Sequence, residues 1–140
     1  MIHKGGCHCG AIHIVYSSDV PAADHTLRAC QCSFCRKHRS LAVSDPQGSV
    51  EIAFADEAKV SRYRFGSRTA EYIVCRDCGV YVAAVMTEGD HAWSVAIVNA
   101  LDDRAQFSGP RQNVDFSDED DSGRRARRRA RWTPTILARL

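Results

Sequence analysis

Cys75-Arg76-Asp77-Cys78-Gly79 lies between two strand-like stretches, Tyr72-Ile73-Val74 before it and Val80 to Met86 after it. Two thiolates three residues apart can reach one metal ion from a tight turn, and the glycine that follows lets the backbone turn sharply enough to aim amides at the sulfurs. A metal held there would staple this hairpin to whatever segment supplies the remaining ligands. The other cysteines of the chain are Cys7-His8-Cys9-Gly10, again ending in glycine, and Cys30-Gln31-Cys32-Ser33-Phe34-Cys35. All seven cysteines of the 140 residues belong to one of these three clusters.

Three other uses of cysteine fit less well. Scattered apolar core cysteines would not fall into tight clusters. An odd count cannot be consumed by disulfides, and cysteines two residues apart make poor bridge geometry. The Cys-x-x-Cys pairs at 32–35 and 75–78 match a redox motif in spacing, yet no strand–helix–strand context surrounds them. Zinc accounts for the pattern, because it takes four tetrahedral sulfur or nitrogen ligands.

Seven ligands divide into four and three. The middle cluster holds three cysteines within six residues, so Cys30, Cys32 and Cys35 are the natural three-ligand site, with one tetrahedral position open. Cys7, Cys9, Cys75 and Cys78 then form a closed, structural site joining the first strand to a hairpin about 70 residues away. Structural zinc contributes roughly 10–16 kcal/mol of binding energy in small peptides. That is comparable to the whole stability of a domain of this size. His8, inside the first cluster, and His38, after the second, are alternative ligands for the second site.

The rest of the chain reads as short strands. Ala11 to Tyr16 alternates with Ile12, Ile14 and Tyr16 on one face, and Ser49 to Phe54 does the same with Val50, Ile52 and Phe54. Leu41 to Ser44, Val60 to Phe65 and Trp93 to Val98 are further strand-length runs, and Glu88-Gly89-Asp90 predicts a hairpin between the last run and Val80 to Met86. No regular strand–helix alternation appears, which excludes a parallel α/β sheet. Hydrophobic residues at 44% and charged residues at 26% are ordinary for one globular domain, and no apolar run is long enough for a membrane helix. Met1 to Gly6 lacks the apolar core of a secretory signal, so the expected location is the reducing cytoplasm.

Charge divides the chain at about residue 116. Residues 1–116 carry 12 Lys and Arg against 13 Asp and Glu, and residues 117–140 carry 7 against 4. Asp118-Glu119-Asp120-Asp121 precedes the run Arg124 to Arg131, an order that suits the helix dipole. A helix over about 118–131 follows, with Ser117 as its N-cap, Gly123 as a weak point and Pro134 as its stop. Such a helix is ordinarily a solvated surface. The arginines also define a candidate nucleic-acid patch, although no aromatic residue interleaves with them before Trp132.

Together the three clusters, in this order and at these separations, resemble the glutathione-dependent formaldehyde-activating enzyme family, which also includes centromere protein V. The resemblance rests on Gly6-Cys7-His8-Cys9-Gly10, Cys30 to Lys37 and Cys75 to Gly79, and it extends over about residues 5–100, including Asn99-Ala100-Leu101-Asp102-Asp103. It implies a small zinc-stapled β structure, the β-tent, over 1–116, followed by the charged helical segment 117–140. It also implies two zinc ions, one at Cys7, Cys9, Cys75 and Cys78 and one at Cys30, Cys32 and Cys35, the same allocation that counting suggests. Two stretches depart from the family pattern. Members often have a glycine shortly after the middle motif, where this chain has Arg39-Ser40-Leu41, and the acidic-to-basic C-terminal run is unlike the usual ending.

The implied activity is that of a carbon–sulfur lyase joining a thiol such as glutathione to a small aldehyde such as formaldehyde. An open zinc would suit it either by taking up a thiol or by polarising an aldehyde, and the sequence does not choose. Arg36 and Lys37, directly after the open site, are the expected anchors for the carboxylates of the thiol, with Arg62 and Arg64 as second choices. His8, His38 and Glu71 are the candidate acid–base residues. The alternative function is a non-catalytic zinc module that binds protein, or nucleic acid through Arg124 to Arg131.

Overall fold

Alternation of apolar residues in the second strand buries Ile12, Ile14 and Tyr16 and leaves His13 exposed, as the sequence pattern requires. The computed structural model describes residues 1–139. Its strands are β1 (Ile2–Gly6), β2 (Ile12–Ser17), β3 (Leu27–Cys30), β4 (Ala42–Val43), β5 (Ser49–Phe54), β6 (Val60–Tyr63), β7 (Glu71–Cys75), β8 (Tyr81–Glu88), β9 (His91–Ile97), β10 (Arg111–Val114) and β11 (Thr133–Arg139). Helix α1 (Ser33–His38) follows β3, and helix α2 (Asp121–Arg131) precedes β11. The protein is thus mainly β with one C-terminal helix of any length.

Hydrogen bonding runs in the order β1-β2-β5-β11-β9-β4-β3-β10, and β6-β7-β8 joins the same sheet at β9. Pairings are antiparallel except β11 with β5 and β10 with β3. The predicted hairpin is present: β8 and β9 pair from Ala83–Ala96 to Glu88–His91. The strands β1, β3, β10 and β11 were not expected from the sequence. β1 is Ile-His-Lys-Gly-Gly with His3 as its one buried residue, so it carries no apolar stripe. β11 contains Pro134, which reads as a stop; in the structure Pro134 pairs with Trp93 at the start of a strand lodged between β5 and β9. Residues 117–140 therefore supply both the helix and a central strand of the sheet formed by residues 1–116.

Strand β8 is buried on both faces, and this explains why its sequence is a continuous apolar run rather than an alternation. Val82, Ala83 and Val85 pack with Ile12, Ile14, Ile52 and Phe54 in one core cluster. Tyr81, Ala84 and Met86 pack in a second with Val95, Ile97 and Trp132, against which Phe34 and Tyr72 lean. Two buried histidines are used inside the fold. His3 Nδ1 donates to Asp103 Oδ2 at 2.7 Å, and the His25 ring bridges Tyr16 Oη at 2.8 Å and the Pro21 carbonyl at 3.0 Å.

Helix α2 begins three residues later than expected and is capped by Asp120, not Ser117. The Asp120 carboxylate accepts the Gly123 N–H at 2.7 Å, whereas the Ser117 N–H turns back to Asp115 Oδ1 at 3.0 Å. Gly123 is part of that cap, since a Cβ there would meet Asp120 Oδ1 at 2.9 Å. The helix has no apolar stripe. Arg125 and Arg129 pair with Glu88 of β8 at 3.1 and 2.9 Å, and the helix buries Arg128.

Candidate metal centres

Cys7 and Cys9 occupy the turn between β1 and β2, Cys75 ends β7, and Cys78 lies in the turn into β8. The four sulfurs lie within 4.8 Å of one another, with Cys7 to Cys9 at 3.8 Å and Cys9 to Cys75 at 3.5 Å. A tetrahedral ion with metal–sulfur bonds of about 2.3 Å spaces its sulfurs about 3.8 Å apart, so the group fits zinc. Gly10 at φ 87° and Gly79 at φ 78° give both turns the left-handed residue they need. Amides aim at the sulfurs as the turns predict: Ile12 N–H donates to Cys7 Sγ at 3.2 Å and Cys78 N–H to Cys75 Sγ at 3.5 Å. Burial pushes the Cys78 thiol up, but N–H groups of Val80, Cys9 and His8 and the Cys75 thiol outweigh it and hold the thiol at about 6. The Ala11 N–H lowers the Cys9 thiol, but hydrogen bonds with Cys75, Cys7 and Cys78 and burial outweigh it and push that thiol up to about 11, so Cys78 is the more readily ionised of the two.

Cys30, Cys32 and Cys35 form the second group, again with all sulfurs within 4.8 Å. Cys30 ends β3, Cys32 is the N-cap of α1, and Cys35 lies in the helix. The Cys32 sulfur accepts the Cys35 N–H at 3.4 Å, so one bond both caps the helix and orients the sulfur. Hydrogen bonds with the thiols of Cys30 and Cys35 lower the pKa of Cys32, whereas hydrogen bonds with Cys30 and Cys32, and burial, raise that of Cys35. Negative charge thus settles first on Cys32. Helix α1 ends at Arg39 in the left-handed region, φ 51°. Asn99 fixes the chain beyond it, accepting the Leu41 N–H at 3.0 Å and donating to the Arg39 carbonyl at 3.2 Å.

Neither candidate histidine joins these groups among the described residues. His8 is exposed, and the His38 ring packs at a tilt against Phe34 with ring centroids 4.5 Å apart. Glu71 is held between Arg64 at 2.8 Å and Arg62 at 3.5 Å. Arg62 also pairs with Glu57 at 3.1 Å, so this arginine pair is engaged away from the cysteines.

A cavity of about 360 Å³ opens beside the three-cysteine group, with Cys30 and Cys32 in its wall. Arg36 and Lys37 are exposed on α1 and do not line it. Its cations come from α2: Arg124, Arg127 and Arg128. Its apolar lining includes Phe65, Tyr72 and Phe116, and its carboxylate is Asp115. Hydrogen bonds from the Ser117 N–H and side chain, with a smaller contribution from the charge of Arg36, hold Asp115 below its ordinary value, so it is an acceptor at neutral pH. The arginines were visible in the sequence as a charge cluster. No local signal says which of them fold inward over a site about 90 residues earlier.

Comparison with known proteins agrees with the geometry. Residues 2–117 match the family described as glutathione-dependent formaldehyde-activating enzyme. The crystal structure of a Rhodobacter sphaeroides protein is similar at a TM-score of 0.58 and 29% identity, over 78% of this chain and 99% of that one. Helix α2 and strand β11 lie beyond the family match. No helix among the described residues is long and apolar enough to cross a membrane.

Proposed function

The chain belongs to the glutathione-dependent formaldehyde-activating enzyme family, and from that premise we propose that it is a zinc-dependent carbon–sulfur lyase acting on a thiol and a small aldehyde. The observation that carries this reading is the three-sulfur group, with Cys30 and Cys32 in the wall of a cavity of about 360 Å³. One zinc ion would be held by Cys7, Cys9, Cys75 and Cys78 and a second by Cys30, Cys32 and Cys35. When bound at the three-cysteine site, zinc supplies a positive charge and Lewis acidity that favour a thiolate or a polarised carbonyl.

The protein's own groups do the rest. In the forward direction the thiol sulfur adds to the aldehyde carbon, the carbon–oxygen π bond breaks, and the thiol proton ends on the new hydroxyl; the reverse step restores thiol and aldehyde. Asp115, the carboxylate of the cavity lining, offers a hydrogen-bond acceptor to a ligand there. Phe65, Tyr72 and Phe116 give the cavity an apolar side. Free thiols throughout suit the reducing cytoplasm. Arg36 and Lys37 remain candidates for guiding an anionic thiol toward the site from outside.

Rates of adduct formation between formaldehyde and glutathione, followed by NMR exchange for the zinc-loaded wild type and Cys32→Ser, test the proposal. Loss of the enzymatic rate with the four-cysteine zinc retained supports it. Two zinc ions and an unchanged rate in Cys32→Ser would sink it. For the binding-module alternative most of the α2 arginines are already engaged: Arg124, Arg125, Arg127 and Arg129 pair with Glu119 or Glu88 and Arg128 is buried, which leaves Arg131 exposed.

A further inference from the structure

Helix α2 lies outside the family match, yet it forms one wall of the cavity at the three-cysteine group. Arg128 is the centre of that wall. It is 6% exposed, its Nη1 donates to Thr69 Oγ1 at 2.7 Å, and its guanidinium stands 4.8 Å from the centre of the Trp132 ring. Its Nε is buried with no hydrogen-bond partner, and no carboxylate pairs with it among the described residues. A buried guanidinium that lacks an anionic partner is costly, and a bound anion removes most of that cost. Burial, with the charges of Arg127 and Arg124 nearby, lowers its pKa to about 10, so it keeps its charge at neutral pH.

Cations outnumber carboxylates in the cavity lining, which holds Arg124, Arg127 and Arg128 and one carboxylate, Asp115. Arg127 is stacked on Phe116 with its guanidinium 3.6 Å from the ring centre, and both it and Arg124 share Glu119, at 2.9 and 3.9 Å. Arg28 of β3, half-buried and bonded to Ser44 Oγ at 2.7 Å, lines an adjoining cleft together with Arg127 and Arg128, and it too lacks a carboxylate partner among the described residues. Flat, fork-shaped guanidiniums at the edge of a cavity are the geometry that takes a carboxylate by two parallel hydrogen bonds.

We propose that Arg128, supported by Arg127 and Arg124, is a carboxylate-binding subsite of the three-cysteine site, added by α2 to the family domain, and that it selects small thiols carrying a carboxylate over neutral ones. The thiol part of this proposal rests on the lyase reading above; the carboxylate part does not. The subsite binds the tail of the ligand while the cysteine group faces its sulfur. Arg128 is here a binding residue, and its distance from the reacting atoms is set by the length of the ligand.

Calorimetric titration of the zinc-loaded full chain tests it with three probes: glutathione, glutathione diethyl ester, and S-methylglutathione, which keeps both carboxylates but cannot offer a thiol. The expected result is that both free acids bind and that the diester binds about tenfold more weakly, the loss of a charge-assisted pair. Arg128→Gln should weaken the acids by a similar factor and leave the diester unchanged, with Arg128→Lys intermediate. The acid-against-ester comparison on the wild type stands even if a variant at this buried position folds poorly. If S-methylglutathione binds in this manner while glutathione gives no aldehyde chemistry, the subsite stands and the lyase reading fails. Equal binding of acids and diester, or no binding of either acid, overturns the subsite. A loss of zinc in Arg128→Gln with unaltered acid preference also overturns it, since the guanidinium would then be balancing the cysteine thiolates.

Discussion

Cys9 Sγ lies 3.5 Å from Cys75 Sγ, although 66 residues separate the two cysteines. The contact ties the turn after β1 to the turn after β7, two strands that do not pair with each other. If zinc sits there, its contribution is of the same order as the stability of the domain, about 5–15 kcal/mol. Cys75→Ser should therefore lose one zinc per chain and most of the cooperative melt. Cys32→Ser should lose the other zinc and keep a folded sheet. Elemental analysis and circular-dichroism melts on both variants check this, and a Cys75→Ser protein that melts like the wild type would refute it.

Arg39 holds a left-handed conformation at the end of α1. That region costs an L-residue roughly 1–2 kcal/mol, and glycine returns about 0.4–1 kcal/mol of that through a freer unfolded chain. Arg39→Gly should thus stabilise the protein by about 0.5–1 kcal/mol. Urea unfolding reads the difference directly; a destabilised variant would show that the Arg39 side chain has a role of its own.

Asn99 clamps the loop that leaves α1 by bonding Leu41 N–H and the Arg39 carbonyl. Both bonds are exposed, so Asn99→Ala should cost about 1 kcal/mol of stability. Its larger effect should be local, since Cys35 hangs from the helix that the clamp holds. Zinc should leave the three-cysteine group faster on challenge with a chelator, with release from the four-cysteine group unchanged.

Glu88 anchors α2 to β8 through Arg129 and Arg125, and these two arginines lower its pKa below the ordinary 4.5. A depressed folded-state value means that stability is present above pH 4.5 and is lost as pH falls through the lower, folded value. The stability difference between wild type and Glu88→Gln should accordingly favour the wild type at pH 7 and shrink below pH 4.5. Metal loss in acid affects both proteins alike and cancels in the comparison. A difference that is constant with pH would mean that Glu88 acts through packing and not through its charge.

Much of this protein was legible before folding. Cysteine spacing separated a group of four from a group of three without any coordinates, because three cysteines within six residues are a local feature. Period-two alternation placed β2 and β5, since each has one face in the core, and the double-faced burial of β8 was visible as an unbroken apolar run. β1 and β11 escaped notice for physical reasons. Gly5 and Gly6 carry no apolar pattern, and Pro134 stops helices but is tolerated where a strand begins.

What sequence determined by itself was chemistry at short range: which residues can ligate a metal, which stretches alternate, and which family the motifs resemble. Only the tertiary structure decided which distant groups meet. It turned Arg128 inward over the cavity wall beside Cys30 and Cys32, left Arg36 and Lys37 on the outside, and drew the C-terminal strand into the middle of the sheet. The reason is that α2 has no apolar stripe. Its orientation follows from Glu88 and Thr69, partners supplied by β8 and by the loop before β7 and invisible in the spacing of its own arginines.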